Sequence, residues 1–195
     1  MIGVLALQGD FEAHLAALAR AGVAARPVRS AADVRATTGL VIPGGESTTF
    51  RKLMEGTGIE EAIREVAFRG DPVLGTCAGA ILLAEAVTNP DASGLGLLPI
   101  GIARNAYGRQ LDSTVLRLTD VDRAALGDAP LEGVFIRAPK ITAAGPGVEV
   151  LARRDGDPVL VRKENVLAAT FHPELTDDRR VFDLFLAARM RTSAR

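Results

Sequence analysis

The sequence predicts an α/β fold, an open and mostly parallel sheet flanked by helices that turns mixed in its second half. Three observations lead there. Short apolar runs alternate with helical patterns through the first half, the sign of βαβ units. The chain opens on a continuous apolar run at residues 2–7, closed by Gln8-Gly9-Asp10. From residue 94 the character changes to strand-like runs separated by turn signals.

The elements follow in order. After the strand at 2–7, Asp10 can cap a helix over 11–21 whose apolar positions include Phe11, Leu15 and Leu18, with Gly22 as its stop. Strands are expected at 25–28 and at 39–42, the second ending in Pro43-Gly44-Gly45, and helices at 48–55 and 59–69. A buried strand at 72–75 runs straight into Thr76-Cys77-Ala78-Gly79. Residues 80–87, rich in Ala, Leu and Ile, read as helix. Strands are then expected at 101–103, 113–118, 133–136, 148–153, 158–161 and 166–171, and an amphipathic helix at 177–191. No repeat or linker interrupts the 195 residues, so 1–195 reads as one domain, within the usual size of roughly 100–200 residues.

Composition narrows the function. The 23 basic and 24 acidic residues nearly cancel, leaving a net charge of −1 and no block of like charge, so neither nucleic acid nor a membrane surface is expected as partner. With one cysteine, no intramolecular disulfide is possible and a reducing cytoplasm is the natural compartment. The apolar opening is too short for a signal peptide or a membrane span. With one Cys and two His there is no soft-ligand cluster, so no metal and no other cofactor are expected.

Gly75-Thr76-Cys77-Ala78-Gly79 has the form G-x-C-x-G between a strand and a helix, a nucleophile elbow with sulfur in place of oxygen. The turn sets the thiol of Cys77 at a helix N-terminus, where dipole and free N–H groups favour thiolate. The N–H of Ala78 is then available to an oxyanion. A lone cysteine is more often a small buried hydrophobe; the flanking glycines reverse that reading.

Two histidines can supply a base. His14 lies within the first helix close to its polar face and reads as a solvated or hydrogen-bonding residue. His172 follows the strand at 166–171, where a strand end meets a loop and open α/β sheets form their sites. Glu174 comes two residues on, past Pro173, and in an extended segment residues i and i+2 point the same way. Cys77 as nucleophile, His172 as base and Glu174 as the acid that orients it make a triad.

These residues resemble the class I, triad-type glutamine amidotransferases, and more narrowly the glutaminase subunits of pyridoxal 5′-phosphate synthase. The resemblance runs over essentially the whole chain. Its further markers are Leu7-Gln8-Gly9 with His14 following, Pro43-Gly44-Gly45-Glu46-Ser47-Thr48-Thr49, Arg104-Asn105-Ala106-Tyr107-Gly108-Arg109-Gln110, Phe135-Ile136-Arg137-Ala138-Pro139 and Phe171-His172-Pro173-Glu174-Leu175-Thr176. Ala103 stands where the family often has Glu, and residues 89–94 show no distinctive match; neither departure touches a motif residue.

The resemblance implies a flavodoxin-like fold and L-glutamine as substrate. It implies that Gly45, Glu46, Ser47, Arg104, Ile136 and Arg137 hold the glutamine, and that Gly44-Gly45 carries a backbone able to reorient and complete the oxyanion hole with Ala78. It implies a separate synthase (lyase) subunit as partner, which takes the ammonia to build pyridoxal 5′-phosphate and on whose docking activity depends. The alternatives are a glutaminase serving another synthase, or a non-catalytic regulatory subunit on the same fold.

Overall fold

The computed structural model describes residues 1–104 and 113–192. The marker segment Asn105-Ala106-Tyr107-Gly108-Arg109-Gln110 lies outside the described residues.

The first half runs β1 (Ile2–Leu5), α1 (Phe11–Arg20), β2 (Ala25–Val28), α2 (Ala31–Arg35), β3 (Leu40–Ile42), α3 (Ser47–Met54), α4 (Ile59–Phe68), β4 (Val73–Thr76) and α5 (Ala78–Leu83). Then come β5 (Ala84–Thr88), β6 (Ala92–Ser93), β7 (Leu98–Ala103), β8 (Ser113–Leu118), β9 (Asp120–Val121), α6 (Arg123–Leu126), β10 (Leu131–Ile136) and β11 (Lys140–Ala144). The chain closes with β12 (Glu149–Arg154), β13 (Asp157–Lys163), β14 (Val166–Ala169), one 3₁₀ turn at Pro173–Leu175, and α7 (Arg180–Thr192).

The main sheet has the order β2-β1-β3-β4-β14-β13-β12-β9. Its pairings are parallel from β2 through β14 and antiparallel from β14 to β9, the mixed sheet that the sequence predicts. Strands β11-β7-β5-β6 form a second sheet, and β10 with β8 a two-stranded third.

Strand alternation explains the layers. In β3, Leu40 and Ile42 face one apolar core and Val41 the other; in β14, Val166 and Ala168 face the first and Leu167 and Ala169 the second. The first core is built with Phe50, Met54, Ile63 and Leu83 from α3, α4 and α5. The second takes Leu18 from α1 with Val181, Phe182 and Phe185 from α7. Helices therefore cover both faces, and the parallel strand ends are left to form a site. No helix among the described residues is long and apolar enough to cross a membrane.

Three expectations are corrected. The helix expected over 80–87 stops at Leu83, and residues 84–88 are strand β5, parallel to β7 through Ala86↔Gly101 and Val87↔Ile102. Ladder pairing there overrides the weak helix preference of Ala-rich sequence. Helix α2 and strand β11 occupy stretches where no element is expected; α2 is only five residues and is capped by Ser30, whose hydroxyl accepts from the Asp33 N–H. Asp10 stands at the N-cap of α1, yet its side chain makes no capping hydrogen bond.

Candidate active site

The elbow at the end of β4 is tight. Cys77 has φ 49° and ψ −104°, a backbone state that costs a non-glycine residue on the order of 1–3 kcal/mol. The flanking glycines are where the packing needs them. A Cβ on Gly75 would lie 2.6 Å from the carbonyl carbon of Gly79, and one on Gly79 only 2.1 Å from the carbonyl oxygen of Ile42. Helix α5 therefore starts pressed against β3 and β4, with Ala78 at its first position, where an N–H has no acceptor within the helix. The Cys77 N–H donates to the Ala169 carbonyl at 2.8 Å, tying the elbow to the last residue of β14.

From β14 the chain passes through Thr170 and Phe171 to His172, whose N–H donates to the Val134 carbonyl on β10 at 2.8 Å. Glu174 is not in an extended segment as the i, i+2 argument supposes. It lies inside the 3₁₀ turn that Pro173 opens, and the turn still sets it against His172. Nδ1 of His172 and Oε1 of Glu174 are 2.6 Å apart, with Glu174 only 2% exposed. Helix α1 grips the same turn, since Arg20 Nη2 donates to the carbonyls of Glu174 and Thr176 at 3.3 and 3.4 Å.

The electrostatics follow from these contacts. Burial pulls the His172 pKa down, but hydrogen bonding to Cys77 and to Glu174, with their charges, outweighs it and raises it to about 10. Burial pushes Glu174 up, and the His172 hydrogen bond with the fields of His14 and His172 holds it below the usual carboxylate range. Glu174 is thus an anion at neutral pH, and His172 beside Cys77 has a raised proton affinity. Such an imidazole can take the proton of Cys77.

An open cleft of about 560 Å³ lies over this group. Cys77, Ala78 and His172 line it, with Gly44, Gly45, Glu46 and Ser47 from the β3–α3 segment, and Arg104, Ile136 and Arg137. Of the residues picked from the sequence, Glu174 alone is not in the lining; it stands behind His172. The Cys77 thiol is 4.0 Å from the Ile136 carbonyl. Arg104 Nη1 donates to the hydroxyls of Ser47 and Thr48 at 3.1 and 3.0 Å. Its Nε is buried with no hydrogen-bond partner among the described residues.

The Glu46 carboxylate caps α3, accepting from the N–H groups of Thr48 and Thr49 at 3.0 and 2.7 Å and from the Thr49 hydroxyl at 2.7 Å. The Thr49 hydroxyl, ahead of the backbone donors and against burial, lowers its pKa to about 2. Its side chain being committed to the helix, Glu46 offers the cleft its backbone. Gln8 braces that backbone, donating from Nε2 to the Glu46 carbonyl at 3.1 Å while its Oε1 accepts from the Glu46 N–H at 3.3 Å. Gly44 is hemmed in on two sides. A Cβ there would meet His172 Cε1 at 2.5 Å, and its carbonyl packs against Gly9, where a Cβ would come within 1.9 Å.

His14 departs from its reading as a residue near the polar face of α1: it is fully buried. Its Nε2 is 3.0 Å from the Thr76 hydroxyl and 3.4 Å from Glu174 Oε2. A signal was present, since Phe11, His14, Leu15 and Leu18 share one helix face. Among the described residues no group of three or more His, Cys, Asp or Glu could hold a metal.

A family model described as the SNO glutamine amidotransferase family matches residues 4–191. A pyridoxal 5′-phosphate synthase subunit PdxT of Koribacter versatilis is 55% identical over 185 residues, spanning 95% of this chain and 93% of its own. Its namesake in Thermus thermophilus is 48% identical over 188 residues, spanning 95% and 96%. A crystal structure of a glutamine amidotransferase, 46% identical, superposes with a TM-score of 0.89 over 97% of this chain and 98% of that one. The structure of PurLQS from Thermotoga maritima, at 17% identity and a TM-score of 0.67, shares the fold.

Proposed function

The chain belongs to the SNO glutamine amidotransferase family, and from that premise we infer that it is the glutaminase subunit of a pyridoxal 5′-phosphate synthase. It hydrolyses L-glutamine to L-glutamate and ammonia, and a synthase subunit takes up the ammonia. The whole chain serves as one glutaminase unit. The observation that carries the chemistry is the Cys77–His172–Glu174 line at the floor of the cleft, in which a buried anion raises the proton affinity of an imidazole facing a strained cysteine.

Glutamine binds with its α-carboxylate at Arg104 and Arg137 and its side-chain amide over Cys77. His172 takes the thiol proton, and the thiolate adds to the amide carbonyl carbon. The N–H of Ala78 and the Gly44-Gly45 peptide stabilise the oxyanion. His172 then gives its proton to the departing nitrogen, the C–N bond breaks, and ammonia leaves a γ-glutamyl thioester on Cys77. Water, deprotonated by His172, adds to the thioester; the C–S bond breaks and glutamate is released. Glu174 stays ionised throughout, holding the Nδ1–H tautomer and supporting the imidazolium.

The test is glutamate release from glutamine by the full chain, with and without the synthase subunit, for the parent and for Cys77→Ala. The expected result is stimulation of the parent by the synthase subunit and no release by the variant. A fully active Cys77→Ala protein would overturn the nucleophile assignment, and a rate indifferent to the synthase subunit would overturn the partnership.

A further inference from the structure

We propose that His14 is a positioning residue for this reaction: its Nε2–H holds the Oε2 edge of Glu174 from behind, so that the carboxylate keeps Oε1 turned to His172. The inference rests on the triad reading above and extends it by one residue.

Glu174 sits between two imidazoles. Oε1 meets Nδ1 of His172 at 2.6 Å, and Oε2 faces Nε2 of His14 at 3.4 Å, with both the His14 and Glu174 side chains fully buried. Oε2 makes no hydrogen bond among the described residues, and the 3.4 Å ion-pair contact with His14 is what faces it. A buried carboxylate oxygen left without a donor is costly, so the group facing it matters. His14 Nε2 is also 3.0 Å from the hydroxyl of Thr76, the residue directly before the nucleophile. One ring thereby touches the strand end that presents Cys77 and the acid that orients His172.

The tautomer follows from the same contacts. A proton on Nδ1 alone would turn the Nε2 lone pair toward an anion and leave a buried N–H with no acceptor, since Nδ1 has no hydrogen-bond partner among the described residues. Buried orphan donors are rarer than under-satisfied acceptors. The neutral Nε2–H form puts the proton between the Thr76 oxygen and Glu174 Oε2. Full protonation is opposed by burial and by the nearby His172, which outweigh Glu174 and Asp10, the two carboxylates that favour it.

The mount is rigid. The ring of His14 stands edge-on to Phe182 at 6.0 Å between centroids, and Arg20, on the same helix, clamps the backbone of the Glu174 turn. Helix α1 therefore holds both the backbone and the outer oxygen of the acid. Without the second contact the carboxylate can rotate about its terminal bond, and His172 loses the acceptor that fixes its tautomer.

The experiment is steady-state glutamate release by the full chain together with the synthase subunit. The variants are His14→Leu, which fills space without a donor, and His14→Gln, whose amide nitrogen reaches the Nε2 position. The expected loss in kcat for His14→Leu is roughly 10–100-fold, the scale of a lost hydrogen bond to a charged group. The KM for glutamine should stay about the same, because His14 does not line the cleft. His14→Gln should recover most of kcat. If His14→Leu fails to fold, His14→Asn serves in its place, its shorter amide reaching only the Nδ1 position. Adding His14→Leu to Glu174→Gln should bring no further loss, since the residue acts through Glu174. A His14→Leu protein with parental kcat, or a His14→Gln protein as impaired as the donor-less variant, would overturn the proposal. If Glu174→Gln itself kept full activity, the triad reading would be what failed.

Discussion

Nδ1 of His172 and Oε1 of Glu174 approach to 2.6 Å across a 3₁₀ turn that Pro173 begins. The pair is two residues apart in the chain, yet four contacts from three elements hold it: β10 through the His172 N–H, the elbow through Cys77, and α1 through Arg20 and His14.

Amidation of the acid keeps the shape and removes the charge. Glu174→Gln should therefore leave the fold intact and lower kcat by roughly 10³-fold, less than the ~10⁴ of a serine triad because a thiol gives up its proton more easily. Glutamate release with a matching far-UV circular dichroism spectrum checks it. A variant within a few-fold of the parent would show that the carboxylate charge is idle.

The same pair makes stability depend on pH. His172 has a folded pKa of about 10 against 6.5 unfolded, so between these values the folded state holds a proton that the unfolded state lacks. Its contribution is full below pH 6.5 and is lost as pH rises through about 10. Glu174, whose pKa is lowered, contributes above its ordinary value of 4.5 and loses that contribution as pH falls through its folded pKa. In urea unfolding from pH 6.5 to about 10, the parent should lose stability more steeply than His172→Gln. Parallel curves would contradict the raised proton affinity.

Two glycines near the elbow separate packing from chemistry. A Cβ on Gly79 would meet the backbone of Ile42, which cannot move cheaply, so Gly79→Ala should cost about 3 kcal/mol in unfolding, the upper end of the usual overpacking penalty. A Cβ on Gly44 would meet the His172 ring instead, so Gly44→Ala should remove most activity at a smaller unfolding cost than Gly79→Ala, because a side-chain ring can turn where the Ile42 backbone cannot. Denaturant titration beside glutamate release distinguishes them, and the reverse ranking would refute the assignment.

Much of this architecture is written locally. Cys77 sits between glycines at a strand-to-helix junction, and His172 ends a run of apolar residues, so both announce strand-end positions from their neighbours alone. The parallel order of β1, β3 and β4 follows from strands alternating with helices. The misread elements are those that pairing elsewhere in the chain decides or that are too short to show a period. Residues 84–88 have helix-compatible composition and become strand because β7 lies alongside, and α2 is too short for its periodicity to show.

The site divides the same way. The elbow, the His-Pro-Glu turn and the glycine pair after β3 are sequence-local, because backbone strain, a proline and missing Cβ atoms act within a few residues. The cap that Glu46 makes with Thr48 and Thr49 is local as well, but the burial of His14 is not. His14 lies 160 residues from Glu174, and only the packing of α1 onto the final 3₁₀ turn brings an imidazole to the far side of the acid. Residue types and their neighbours named the chemistry; long-range packing decided which groups face each other, because burial and charge coupling exist only once distant elements meet.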